Sequence, residues 1–266
     1  MRRIGVKALT VGLLGLLAFA IVAFAQPPSG IVHPPGEAGK SPQELGSELF
    51  ASNCASCHGI DGRGVSTSNP VHGAGDIQGA GPDLQGVGAQ AADFYLRTGR
   101  MPISRPGEQP QRHRPYFNET EIKALTAYVA SLGPGPGIPH PNPDQSHVSR
   151  GMELFTDHCA GCHQIVGEGG YVTDARVPVL QHASATEIAE AVRIGPYLMP
   201  SFSRKTINNR QLNAIIAYVE ASKKPNDRGG FGLGHIGPVP EGMVAWLVAA
   251  GVLVGVCLLI GERART

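Results

Sequence analysis

The sequence predicts a mainly α-helical chain: two tandem copies of one small unit, with an apolar helix near each end. Three observations carry this expectation. Residues 46–58 align with 151–163 without a gap, each copy opens and closes on a helical apolar pattern, and two charge-free runs of 18 residues lie near the termini. The apolar runs also explain the composition. Charged residues make up only 16% of the 266 positions, against about 25% in an ordinary soluble domain. A net charge of +1 argues against a nucleic-acid binder of the basic-stripe kind. Five cysteines in a chain of this length exclude a disulfide-dense secreted scaffold.

The elements follow in chain order. Arg2, Arg3 and Lys7 precede the apolar run Ala8–Ala25, which ends on Ala23-Phe24-Ala25. A cationic start, apolar middle and small-residue exit describe an export signal, and the run is also long enough to span a bilayer. Residues 1–25 are therefore expected to be a cleaved signal or an N-terminal membrane anchor. The first unit covers 41–133. Ser41-Pro42 suits a helix N-cap followed by proline at the first helical position, and Leu45, Leu49 and Phe50 then share one stripe. Its closing helix is expected over 118–132, capped by Asn118 with Glu121 three residues on. Residues 134–145 form a linker; the stretch 133–143 holds five prolines and should be stiff and extended. The second unit covers 146–224, its closing helix starting at Asn208 or Asn209. The Gly- and Pro-rich middles of both units read as loops, and no alternating strand pattern stands out. Residues 225–241 form a Gly/Pro segment, and 242–260 a transmembrane helix with Trp246 near one end, where an indole favours the headgroup level. Cys257 within it reads as a small packing residue. The positive flanks of both apolar runs place both chain ends in the cytoplasm and the long middle outside.

The repeat carries the chemistry. Cys54-Ala-Ser-Cys57-His58 and Cys159-Ala-Gly-Cys162-His163 stand at an offset of 105, and each is C-x-x-C-H, the signature of covalent c-type haem attachment. Composition alone predicts roughly 0.004 such matches by chance. Two cysteines three residues apart share one helical face, so both thiols reach the same ligand edge, and the adjacent histidine offers an imidazole to the iron. Two other uses of Cys-x-x-Cys are a thioredoxin-like redox pair, for which the βαβ context is missing, and a four-thiolate zinc site, against which the long separation argues. The second iron ligand follows by elimination among five methionines. Met1 is the initiator, Met243 begins the apolar helix, and Met152 is expected to pack in an opening helix. Met101 and Met199 remain, one per unit, each followed by proline. They are expected to be axial ligands opposite His58 and His163. Pro82 and Pro178 are candidates to hold the histidine rings through their carbonyls. Phe50 with Tyr128, and Phe155 with Tyr218, are expected to stack where opening and closing helices cross, with Gly46 and Gly151 permitting close approach. His72, His113 and His158 are read as loop or solvent histidines.

With these residues in view, each unit resembles a class I cytochrome c domain: Gly-x-x-x-Phe, C-x-x-C-H, the loop proline, Met-Pro and the closing tyrosine all match. The tail from Gly229 to Trp246 (GGFGLGHIGPVPEGMVAW) resembles that of the dihaem cytochrome c subunit of the actinobacterial-type cytochrome bcc complex, a menaquinol–cytochrome c reductase. The segment Val65–Ala80 departs from the pattern as an apparent loop insertion. The resemblance implies two covalent haem c groups and partnership with a cytochrome b subunit and a Rieske iron–sulfur subunit. It also implies a place in the plasma membrane with the haem domains on the extracytoplasmic side, and delivery of electrons to a haem-copper terminal oxidase. A dihaem carrier subunit of another membrane oxidoreductase, and a dihaem peroxidase, are the alternatives.

Overall fold

A computed structural model of the chain describes residues 30–37, 39–65, 81–105, 107–223 and 238–264. The expected N-terminal signal or anchor, His72, most of the 65–80 insertion and most of the 225–241 segment lie outside the described residues. The first unit contains α1 (Pro42–Asn53), the single turn α2 (Ala55–His58), α3 (Gly88–Arg97) and α4 (Glu119–Ser131). The second contains a 3-10 turn (Gln145–His147), α5 (Val148–His158), the single turn α6 (Ala160–His163), β1 (Gly170–Val172), β2 (Ala175–Val177), α7 (Ala185–Ile194) and α8 (Asn209–Lys223). The helix α9 (Pro238–Arg263) belongs to a separate compact unit that begins after residue 223.

Local chemistry fixes the helix starts. Ser41 accepts from the Glu44 amide while the Glu44 carboxylate accepts from the Ser41 amide, and Asn118 and Glu121 repeat this reciprocal cap at α4. Ser184 and Glu187 do the same at α7. The middles of the two units are therefore not simply loops: each holds a ten-residue helix, α3 and α7. The Gly- and Pro-rich flanks masked these helices, although the Ser184-x-x-Glu187 box marks the second. A short antiparallel hairpin also pairs Gly170 with Val177 and Val172 with Ala175, at only three residues per strand too brief to show alternation.

In each unit the opening helix crosses the closing one. A methyl group on Gly46 would sit 2.2 Å from the Ala124 carbonyl oxygen, and one on Gly151 would sit 1.9 Å from that of Ala214, so only glycine admits these crossings. The expected rings stack beside them: Phe50 and Tyr128 at 5.1 Å between centroids, Phe155 and Tyr218 at 5.3 Å. Leu45, Leu49, Phe50, Ile122, Leu125 and Val129 form one core, and Leu154, Phe155, Ile188, Val192, Ile215 and Val219 the other. Met152, expected to pack, is instead 49% exposed, because it lies off the stripe that Gly151, Leu154 and Phe155 bury.

The linker is extended and is also held in place. The Gln90 amide donates to the Pro136 carbonyl at 3.1 Å, and the Asn142 amide to Asn213 Oδ1 at 3.2 Å. The two units meet directly as well. Gln109 and the Arg176 backbone exchange two hydrogen bonds, at 2.7 and 2.9 Å, and the Arg112 guanidinium grips the Glu187 carboxylate and the His182 carbonyl. In the separate unit, Gly242–Arg263 has a mean hydropathy of 2.7 and is long and apolar enough to cross a membrane. Trp246 is 78% exposed, and Cys257, read as a packing residue, is exposed too.

Candidate haem sites

The two C-x-x-C-H segments fold into one-turn helices of matching geometry. The first cysteine ends the opening helix, its amide donating to the Phe50 or Phe155 carbonyl at 2.8 Å in either copy. The amides of Cys57 and His58 return to the Cys54 carbonyl at 3.1 and 2.9 Å, and those of Cys162 and His163 to the Cys159 carbonyl at 3.1 and 2.9 Å. A repeat that preserves these distances, while Ser56 becomes Gly161, preserves the placement of two thiols and one imidazole.

Each imidazole is oriented as the sequence leads one to expect. Nδ1 of His58 donates to the Pro82 carbonyl at 2.9 Å, and Nδ1 of His163 to the Pro178 carbonyl at 3.2 Å. A carbonyl can only accept, so this bond fixes the tautomer and leaves Nε2 with its lone pair. Gly81 brings the chain past the first ring: a methyl there would lie 2.6 Å from the Cys57 carbonyl oxygen and 3.1 Å from the ring nitrogen. Burial lowers the pKa of both histidines against the raising effect of the carbonyl bond, so both are held neutral. The thiols tell the same story. Burial, reinforced by the neighbouring cysteine, pushes Cys54 up to about 12 and Cys159 to about 11. A redox-active Cys-x-x-Cys pair needs the opposite, a stabilised thiolate. A four-thiolate zinc site also finds no support, since no cluster of three or more His, Cys, Asp or Glu side chains suited to a metal occurs among the described residues.

In the second unit the structure gathers Cys159, Cys162, His163 and Met199 around one cavity of about 540 Å³. Its walls include the apolar side chains of Phe155, Leu180, Ile188, Val192 and Phe202. That volume lies in the range of cofactor clefts, and the donors are those of a haem c: two thiols, a neutral imidazole and a thioether. Met199 follows a turn in which its amide donates to the Pro196 carbonyl. In the first unit Met101 is half-buried at the end of α3, its amide on the Tyr95 carbonyl, and Cys54 and Cys57 are half-buried where α1 meets α2. His158 makes an edge contact with Phe202, and His113 lies beside Tyr116, so neither stands out as a ligand. The sequence reading missed that the second cavity also borrows Tyr95, Arg100, Gln109 and Arg112 from the first unit. No motif marks them.

Comparison with known proteins bears on this geometry. Residues 43–133 match the family model for cytochrome c, and residues 146–219 match that for the cbb3-type cytochrome c oxidase subunit III. The cytochrome bc1 complex cytochrome c subunit of Mycobacterium bovis is 36% identical over 97% of this chain and 92% of its own length. The chain belongs to the family of cytochrome c subunits of the cytochrome bc1 complex. The member from Corynebacterium diphtheriae is 34% identical over 97% of this chain and 93% of its own. The cbb3-type cytochrome c oxidase subunit CcoP of Rhodobacter capsulatus is 31% identical but aligns with only 34% of this chain. The chain is thus an electron carrier of the bc1 complex, its two cytochrome c domains imply covalently bound haem c, and its apolar C-terminal helix fits association with a membrane.

Proposed function

We propose that this subunit carries two haem c groups, one per unit, and relays single electrons from the quinol-oxidising core of its complex to a haem-copper terminal oxidase. Cys54 and Cys57 would hold the first haem covalently, with His58 and Met101 as its iron ligands. Cys159 and Cys162 would hold the second, with His163 and Met199 as its iron ligands. The haem-bearing domains span 41–133 and 146–224, joined by the linker 134–145. The segment 225–241 docks against the complex, the helix 242–260 anchors the chain in the plasma membrane, and both domains lie on the extracytoplasmic side. Its partners are the cytochrome b and Rieske iron–sulfur subunits, from whose quinol oxidation the electrons originate, so the chain acts within a quinol–cytochrome c reductase that is also a translocase.

One observation carries the reading. Two equivalent C-x-x-C-H turns each present a neutral imidazole, locked by a proline carbonyl, in a chain related over nearly its whole length to bc1 cytochrome c subunits. When bound, haem supplies a one-electron iron couple, whose potential is raised by thioether relative to a second imidazole. The chain's own part is to fix His58 and His163 through Pro82 and Pro178, exclude water with the two phenylalanine–tyrosine stacks and their cores, and keep both units in contact. The likeness of 146–219 to an oxidase subunit favours a carrier serving another oxidoreductase only over that stretch of the chain. The test is the mass and haem stain of the denatured native chain. Two covalent haems are expected, Cys54→Ala and Cys159→Ala each removing only its own. A native chain with one haem or none refutes the proposal.

A further inference from the structure

The wall that the first unit lends to the second cavity contains an unmatched charge. Arg100 is only 8% exposed, it lines that cavity, and its Nη1 is buried without a hydrogen-bond partner. The guanidinium lies 4.9 Å from the centre of the Phe94 ring, and the Arg100 amide is tied to the Tyr95 carbonyl at 2.9 Å, so backbone and charge are both positioned. Of the surrounding carboxylates, Glu187 attracts the Arg100 charge but places its hydrogen bonds on Arg112 at 3.1 Å, and Asp93 pairs with Arg97 at 2.8 Å. Glu190 makes no hydrogen bond through its carboxyl, and burial and Asp93 push it up to about 8, so it offers Arg100 no charge at neutral pH. A guanidinium does not escape burial by losing its proton, and a buried charge without a partner is costly. Its planar fork fits a carboxylate.

We propose that Arg100 binds the carboxylate side chains of the haem held in the second unit, so that one cytochrome domain anchors the cofactor of the other. The inference rests on the reading that Cys159 and Cys162 carry a haem. It is one-directional at this position, because Arg100 aligns with Pro196 from the shared glycine or with Leu198 from the methionine, and neither carries a charge. A buried cation at this edge favours the reduced over the oxidised haem, and so raises the potential of the second haem relative to the first.

The test uses the full-length, membrane-extracted chain and its variants Arg100→Gln and Arg100→Lys. Redox titration resolves the two haems, the second being identified by the shift that Met199→His produces. Arg100→Gln should move the second haem's one-electron equilibrium at least tenfold toward the oxidised form, about 59 mV. The first haem should move less, and Arg100→Lys should restore part of the change. Redox-difference infrared spectra with isotope-labelled haem carboxylates give an independent readout: Arg100→Lys should displace the carboxylate band of the second haem. If Arg100→Gln does not accumulate, this band decides. An unmoved second potential with both haems attached, a larger shift at the first haem, or an unmoved band overturns the inference and leaves the two-haem reading standing. A native chain without haem at Cys159 and Cys162 removes that reading itself, and is seen directly in the mass.

Discussion

Gly151→Ala tests whether the crossing of α5 and α8 is as tight as the distances say. The added methyl would stand 1.9 Å from the Ala214 oxygen, 2.6 Å from its carbonyl carbon and 2.9 Å from Tyr218 Cβ. The first two belong to helical backbone, so no side-chain rotation relieves them. Reaching even 3.0 Å requires the helices to part by about 1 Å, and a gap of that size forfeits a quarter to a half of each dispersion contact along it. Those contacts involve Leu154, Phe155, Ile215 and Val219, all buried. Overpacking of this kind costs about 1–3 kcal/mol and occasionally more, set against about 1 kcal/mol gained from the better helix propensity of alanine. The balance expected is about 1 kcal/mol of destabilisation. For a domain of this size that lowers the melting temperature by about 6 °C. Thermal melts of the full-length protein, followed by circular dichroism, should show the second unit unfolding early. A melting temperature within about 2 °C of the parent would refute the close-crossing argument. Gly46→Ala, at 2.2 Å from the Ala124 oxygen, should do the same to the first unit.

Three further outcomes follow from the same geometry. Met101→His or Met199→His should keep six-coordinate iron and lower the potential of the haem in its own unit, and redox titration showing neither potential changed would reject the ligand assignment. Glu190, fully buried with both carboxylate oxygens unpartnered, is raised by burial, and then by Asp93, from 4.5 to about 8. The native state therefore keeps a proton that the unfolded chain releases, and stability should fall as pH rises from about 5 to about 8; Glu190→Gln should flatten that slope in thermal melts, and parallel slopes would count against it. Exchanging residues 229–260 for an unrelated single-span anchor should leave both haems attached and the protein in the membrane but strip it from its quinol-oxidising partners. Copurification of the swapped chain with cytochrome b would reduce the tail to a plain anchor.

The sequence announced those features that local rules govern. Ser41 and Asn118 cap their helices because a side-chain oxygen beside free amides needs no tertiary help. Pro82 and Pro178 could be named because a ligating histidine needs a carbonyl, and a proline carbonyl lies free in each following loop. The glycine crossings and ring stacks were legible because the repeat places identical residues at matching points of two helices. What stayed hidden depends on contacts between the copies or on short elements. The helix α3 starts at Gly88 without a side-chain cap, so no boundary signal rises above its glycine-rich flank. The hairpin 170–177 has too few residues to alternate. Arg100 carries no signal of its own beside Met101, because nothing in a linear sequence reveals that the second unit's cavity will lie against it.

The divergence between the copies points to the same conclusion. The offset between equivalent residues is 105 at the cysteines, 98 at Met101 and Met199, and 90 at the closing tyrosines. The first unit is therefore eight residues longer between its methionine and its closing helix. That longer stretch holds Gln109, paired twice with the Arg176 backbone, and Arg112, gripping Glu187 and His182. Glu187 is at once the capping residue of α7 and the partner of Arg112, so the helix that walls the second cavity is braced at its start by the first unit. Two domains joined only by a proline linker would leave their separation and orientation to the linker. Here the added residues on one copy supply the contacts that hold the other, and their directionality matches that of Arg100. A duplication that kept its C-x-x-C-H spacing has diverged where one copy touches the other. Electron transfer between two centres needs that, because a fixed edge-to-edge approach comes from the interface and not from either C-x-x-C-H turn.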